Sequence, residues 1–318
     1  MFPEIRLRRL RLDQNIRDVL SEFSIRTEKL IMPVFLDETH KGKNQIPGMP
    51  DIFRHDFDSA KEYLQRLSDI GVKGVLLFGI PKVKDRTGSS SYSNDGIVQK
   101  TISYIRDNLD MITYADLCLC EYTDNGQCGL VVDGYVDNDS TLEIYQKIAV
   151  SYADAGVDVV APSGMMDGQV SAIRKALDAS NHKNTLIMAY SAKYASSLYG
   201  PFRNAVDSAP KFGDRRSYQM PVSNSREAMR EIDLDVKEGA DIVMVKPATF
   251  YLDIISKARS SFNLPIAAYS VSGEYSMIRS AIEQKLVSGD FIGESLVSIF
   301  RAGADLVISY FTESILSG

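Results

Sequence analysis

Eight short apolar runs recur along the chain, each separated from the next by enough residues for a helix, and this alternation constrains the fold more than any other feature. They are Leu30 to Leu36, Val72 to Gly79, Ala115 to Cys120, Val157 to Pro162, Thr185 to Ser191, Asp241 to Pro247, Pro265 to Ser270 and Asp305 to Tyr310. Nearly continuous apolar runs of this length suit strands buried on both faces, as in a parallel sheet.

The intervening stretches are amphipathic. Ser59 opens one with a Ser-x-x-Glu capping box to Glu62, followed by Tyr63, Leu64, Leu67 and Ile70 on one face. Asn224 and Glu227 open another, which carries Ala228, Ile232 and Val236 inward. Gly71, Gly156, Gly239 and Gly303 each end a helical run just before a strand. Eight strands alternating with helices predict an α/β fold, a (β/α)8 TIM barrel, which needs about 250 residues. An open doubly wound sheet is the rival, but no Gly-x-Gly-x-x-Gly turn follows any strand.

With 318 residues, 44% of them hydrophobic, the chain exceeds what the barrel needs. Residues 1–28 form an extended N-terminal arm carrying the basic cluster Leu7 to Leu12, and the barrel spans 29–318. The segment Tyr199 to Ser223, rich in Gly, Pro and charge, is expected to be a lid. Lys and Arg total 36 against 42 Asp and Glu, a net charge of -6, so neither nucleic acid nor an anionic membrane is an expected partner. No apolar run approaches the roughly 18 residues that span a bilayer. No apolar stretch follows the N-terminal arginines either, and a cytoplasmic location is the expectation.

Barrel enzymes place their chemistry at the C-terminal ends of the strands. Reading those ends in order gives Cys118 and Cys120, then Ser163, Lys193, Lys246, Ser272 and Tyr310. Lys246 closes the apolar run Ile242 to Val245, and Lys193 follows Tyr190, Ser191 and Ala192. A lysine in such surroundings loses hydration, which lowers its pKa and frees the neutral amine. Two ammonium groups facing one pocket depress each other further. A free amine there attacks a ketone or aldehyde to form a Schiff base. The bland alternative is that each lysine snorkels to solvent or pairs with a carboxylate.

All three cysteines fall between 118 and 128, with Cys-x-Cys-x7-Cys spacing. Strand alternation puts Cys118 and Cys120 on one face, and the turn Asp124-Asn125-Gly126 returns Cys128 toward them. Three thiolates without a fourth protein ligand suit a zinc site with one open position, the catalytic arrangement. Three buried reduced cysteines are the alternative. The three histidines, His40, His55 and His182, sit in no triad or ligand spacing. The lid carries Arg203, Lys211, Arg215 and Arg216 with Gln219 nearby, groups suited to clamping a carboxylate or simply to a solvated loop. Ser272 and Tyr310 are hydroxyl donors suited to a second carboxylate.

Five strings add to the cysteine spacing: Tyr190 to Ala195, Tyr199 to Arg203, Gly213 to Gln219, Met244 to Pro247 and Val271 to Glu274. Together, from Leu7 to Tyr310, they resemble the porphobilinogen synthase (5-aminolevulinate dehydratase) family of the zinc–cysteine type. The resemblance implies condensation of two 5-aminolevulinate molecules to porphobilinogen with loss of two waters. It implies Schiff bases at Lys246, for the substrate that supplies the propionate side, and at Lys193, for the acetate side. It assigns Ser272 and Tyr310 to the first carboxylate, and Arg203, Arg215 and Gln219 to the second. Cys118, Cys120 and Cys128 match catalytic zinc ligands, Asp116 an active-site carboxylate, and Glu231 the anchor of an outlying regulatory magnesium. A homo-octamer, with the arm embracing a neighbour, is also implied.

The chain departs from the family pattern in two places. Asn125 and Gln127 stand where many members have histidines, and Gly164 stands where many have aspartate. A class I aldolase, with one Schiff-base lysine and no metal, and a non-enzymatic barrel with a structural zinc knuckle are the competing readings.

Overall fold

The computed structural model describes residues 3–209, 211 and 213–317. Met1 and Phe2 of the arm, Pro210 and Phe212 of the lid segment, and Gly318 lie outside the described residues. The eight apolar runs form eight parallel strands: β1 Leu30–Asp37, β2 Gly74–Ile80, β3 Ile112–Leu117, β4 Val159–Pro162, β5 Leu186–Lys193, β6 Ile242–Lys246, β7 Ile266–Ser270 and β8 Leu306–Ser309. They pair in chain order, and β1 also pairs with β8 through Leu30 opposite Val307 and Ile31 opposite Ile308, so the barrel closes without an edge. Most strand residues are buried, because helices cover the outer face and side chains fill the inner one.

At least one helix separates each strand from the next, as the periodicity predicts. Gly71, Gly156, Gly239 and Gly303 all take positive φ, and Gly156 and Gly239 cap their helices in the left-handed conformation that a β-carbon disfavours. Two local expectations are corrected. The helix Phe57–Asp69 is capped by Asp56, whose carboxylate accepts from Ser59 N at 2.9 Å, so it begins a turn earlier than a Ser59 cap requires. The third strand ends at Leu117, not Cys120, and the two cysteines lie in the loop beyond it.

One irregularity matters for the site. Val243 stands opposite Ala189, yet Val245 stands opposite Ala192, so β5 carries one extra residue in this stretch. Without it Lys246 would face Ala192; with it, Lys246 faces Lys193. The lid segment is not wholly irregular, since Gly200–Ala205 is helical and carries Phe202 onto the barrel mouth, with ring centroids 5.1 Å from Phe78 and 5.9 Å from Phe35. In the arm, the 3-10 turn Leu7–Arg11 and the helix Gln14–Val19 bury no residue, and Ile5, Leu7, Leu12 and Val19 are exposed.

Candidate active site

Lys246 is buried at the end of β6 inside an aromatic cage. Its Nζ lies 4.2 Å from the Tyr269 ring centroid, 5.0 Å from Tyr190, 5.1 Å from Phe202 and 5.4 Å from Tyr199. The rings offer quadrupolar attraction but little hydrogen bonding, so the amine is poorly solvated. Burial first, then the Lys193 charge, bring its pKa down to about 7.

Lys193 is equally buried but differently placed. Its Nζ donates to the carbonyl of Ser163 and lies 5.6 Å from the Tyr190 centroid. Burial opposes its charge, but the sulfurs of Cys128, Cys118 and Cys120 and the carboxylate of Asp116 outweigh that effect, and its pKa moves upward. Mutual depression of the two lysines is thus realised only at Lys246; at Lys193 the neighbouring anions win.

Asp116, in β3, accepts from the Ser163 hydroxyl at 3.1 Å, so Ser163 touches both Lys193 and Asp116. Burial raises the Asp116 pKa against the pull of the two lysines. Cys118, Cys120 and Cys128 are all buried, with Sγ atoms within 4.8 Å of one another and the Cys118–Cys120 pair at 3.4 Å. The convergence expected of the spacing holds, although the turn and not a strand face produces it. Three sulfurs this close fit a thiophilic divalent ion such as zinc, with one coordination position left for another donor.

The cysteine turn is tied to the lid segment. Arg215 is buried and donates to the carbonyls of Gly126 at 2.9 Å and Ser208 at 2.6 Å. Lys211 N donates to Asn125 O at 3.0 Å. The Tyr218 hydroxyl donates to Gln127 Oε1 at 2.7 Å and accepts from Cys128 N at 3.3 Å. Asn125 and Gln127 therefore hold the turn and its contact with the lid segment. Arg203 Nε, Arg215 Nε and both amide atoms of Gln219 are buried without a hydrogen-bond partner among the described residues. Buried donors without protein acceptors suit an anionic group. Lys211 and Arg216 are exposed and do not join this group.

Ser272 and Tyr310 border the Lys246 cage. The Ser272 hydroxyl accepts from Phe202 N at 3.0 Å, and the Tyr310 hydroxyl lies 3.0 Å from that of Tyr269. Gly164 is explained by its neighbour, since a β-carbon there would sit 1.7 Å from the Tyr145 hydroxyl, which donates to the Cys128 carbonyl at 2.6 Å. A carboxylate at position 164 does not fit beside that tyrosine. Glu231 is not brought to the lysines. It lies on the helix Arg226–Glu238, where it lines a cavity of about 440 Å³ with Asp167, Glu227 and the lid residues Tyr218 and Gln219. Burial, then Asp167 and Glu227, push its pKa up.

Sequence reasoning missed the cage residues Tyr190, Tyr199, Phe202 and Tyr269, and it missed Glu121. Glu121 is buried beside Cys120, and burial followed by the Asp116 charge pushes it up to about 7. A charged residue directly after an apolar Cys-Leu-Cys run was the available signal.

The sequence model of the family described as Delta-aminolevulinic acid dehydratase matches residues 4–317. A delta-aminolevulinic acid dehydratase of Archaeoglobus fulgidus is 53% identical over 99% of this chain and 98% of its own length. That of Bacillus subtilis is 46% identical over 96% of this chain and 95% of its own length. The crystal structure of delta-aminolevulinic acid dehydratase (porphobilinogen synthase) from Toxoplasma gondii ME49, in complex with the reaction product porphobilinogen, superposes with a TM-score of 0.96 at 39% identity, covering 99% of this chain and 91% of that one. With a closed eight-stranded barrel, paired strand-end lysines and three converging cysteines, this chain belongs to the delta-aminolevulinic acid dehydratase family of enzymes.

Proposed function

We propose that this chain condenses two molecules of 5-aminolevulinate into porphobilinogen with loss of two waters, through Schiff bases at both Lys193 and Lys246. The observation that carries the reading is the register of β5 and β6, which sets two buried lysines side by side at one barrel mouth. Lys246 takes the substrate that becomes the propionate side. Its caged amine is substantially neutral near pH 7 and can attack a ketone. Lys193 takes the acetate-side substrate beside the cysteines.

Each carboxylate has its own receptor. Ser272 and Tyr310, one contact away from the cage, hold the first. Arg203, Arg215 and Gln219, with unpartnered buried donors, hold the second. Asp116 accepts a proton close to both amines, and its Ser163 contact keeps it in place. Cys118, Cys120 and Cys128 would hold a zinc ion, which when bound supplies Lewis acidity on the Lys193 side. Fixing two identical molecules in different orientations supplies most of what bond formation between them requires.

Glu231, with Asp167 and Glu227 beside it, is the anchor for a regulatory magnesium ion away from the chemistry. The N-terminal arm of residues 1–28 serves assembly, as a homo-octamer, and its exposed apolar side chains support that role. Among the described residues no helix is long and apolar enough to cross a membrane. Borohydride reduction in the presence of 5-aminolevulinate, followed by peptide mass mapping, tests the two nucleophiles and the substrate together.

A further inference from the structure

Two substrates of this kind bring two ammonium groups as well as two ketones and two carboxylates. An ion held by the cysteines would offer one place for an amino group, and the other amino group needs a receptor of its own. Glu121 has the features of one. It is 2% exposed, yet only its Oε2 is engaged, at 3.2 Å from Cys120 Sγ. Its Oε1 is buried without a hydrogen-bond partner, as is Oδ1 of Asp116. A carboxylate oxygen of each residue and Cys118 Sγ all lie within 4.8 Å of one another.

Two buried carboxylates this close repel each other, and each carries an unsatisfied oxygen. Among the described residues no lysine or arginine forms an ion pair with either. Lys193 donates to a carbonyl, and Lys246 sits among rings. Two unpartnered acceptors on carboxylates this close fit a compact cation with several N–H donors better than a planar guanidinium, which needs a parallel fork. A primary ammonium is such a cation. The three-sulfur set suits a metal ion better than the mixed set of Asp116, Cys118 and Glu121, which shares one sulfur with it.

We infer that Glu121, facing Asp116, receives the ammonium group of one 5-aminolevulinate molecule, and so selects a ketone acid bearing a primary amine over the same ketone acid without it. This rests on the two-substrate reading given above and adds a specificity residue to it. The comparison ligand is levulinate, which keeps the ketone and the carboxylate and lacks the amine.

The test uses full-length Glu121→Gln with its metal bound, isosteric and uncharged. KM for 5-aminolevulinate is expected to rise about 10- to 100-fold, the range for losing a charged hydrogen bond, while the inhibition constant of levulinate stays essentially unchanged. Glu121→Asp, which keeps the charge but draws it back, is expected to fall between the two, and it carries the same comparison should the glutamine variant fail to fold. An unchanged KM, or equal weakening of both ligands, overturns the inference. So does a loss of zinc affinity, measured by chelator competition, large enough to account for the rise in KM. Wild-type protein that neither binds levulinate nor is trapped by borohydride with 5-aminolevulinate fails the underlying reading instead.

Discussion

Lys193 and Lys246 are register partners across β5 and β6, and one ring, that of Tyr190, lies 5.6 Å from the first amine and 5.0 Å from the second. The shared platform does not make them equivalent. Anionic neighbours hold Lys193 toward the charged form, while burial and the Lys193 charge move Lys246 toward the neutral one.

That asymmetry has a sign in pH. The Lys246 amine titrates at about 7 in the folded chain against an ordinary 10.5. Between those values the unfolded chain binds a proton that the folded chain does not, so stability rises with pH across the window. Below it the full penalty of the buried ammonium applies. Lys246→Met is therefore expected to raise Tm most at about pH 6 and least at about pH 10, as read by thermal melts across that range. For the intact enzyme, adduct formation at Lys246 rises as pH climbs through about 7.

Cys118→Ala, Cys120→Ala and Cys128→Ala are each expected to lose zinc binding and zinc-dependent turnover while keeping the barrel. Chelator competition and far-UV circular dichroism check the two halves. Full activity in a metal-free assay contradicts the role given to these residues.

Tyr218→Phe removes one hydroxyl that both donates to Gln127 and accepts from Cys128 N. Loss of these bonds is expected to loosen the lid over the cysteine turn and to raise KM by about 3- to 10-fold, the cost of one or two neutral hydrogen bonds. Limited trypsin digestion should cut faster after Lys211 and Arg216, both of which are already exposed.

Gly164→Ala forces a methyl group against the Tyr145 ring, whose hydroxyl anchors the Cys128 carbonyl. A loss of about 1–3 kcal/mol of stability is expected from such overpacking, together with weaker zinc binding. Glu231→Ala, by contrast, should abolish magnesium stimulation and leave basal turnover intact; a variant still stimulated by magnesium refutes that assignment.

The barrel was legible because its strands are buried on both faces and leave unbroken apolar runs, and because Gly156 and Gly239 mark helix ends by a conformation few other residues adopt. The third strand was placed too late because Cys118, Leu119 and Cys120 are as apolar as strand residues, while their loop position depends on the turn that follows. The lysine positions followed from strand ends, and the convergence of the cysteines from their spacing and the turn before Cys128. The Lys246 cage, the extra residue in β5 and the bonds from Arg215 and Tyr218 to the cysteine turn did not, since each joins residues far apart in sequence. For Glu121 the charge after the Cys-Leu-Cys run was a local signal, but its proximity to Asp116 was not legible.

The most direct test of the two-lysine account is borohydride trapping of the enzyme with 5-aminolevulinate, mapped by peptide mass spectrometry. Reduced adducts are predicted on the peptides containing Lys193 and Lys246, with Lys246→Met removing one and Lys193→Met the other. Labelling at neither lysine contradicts the account, and labelling at only one, under every substrate concentration, favours a single-nucleophile aldolase chemistry in its place.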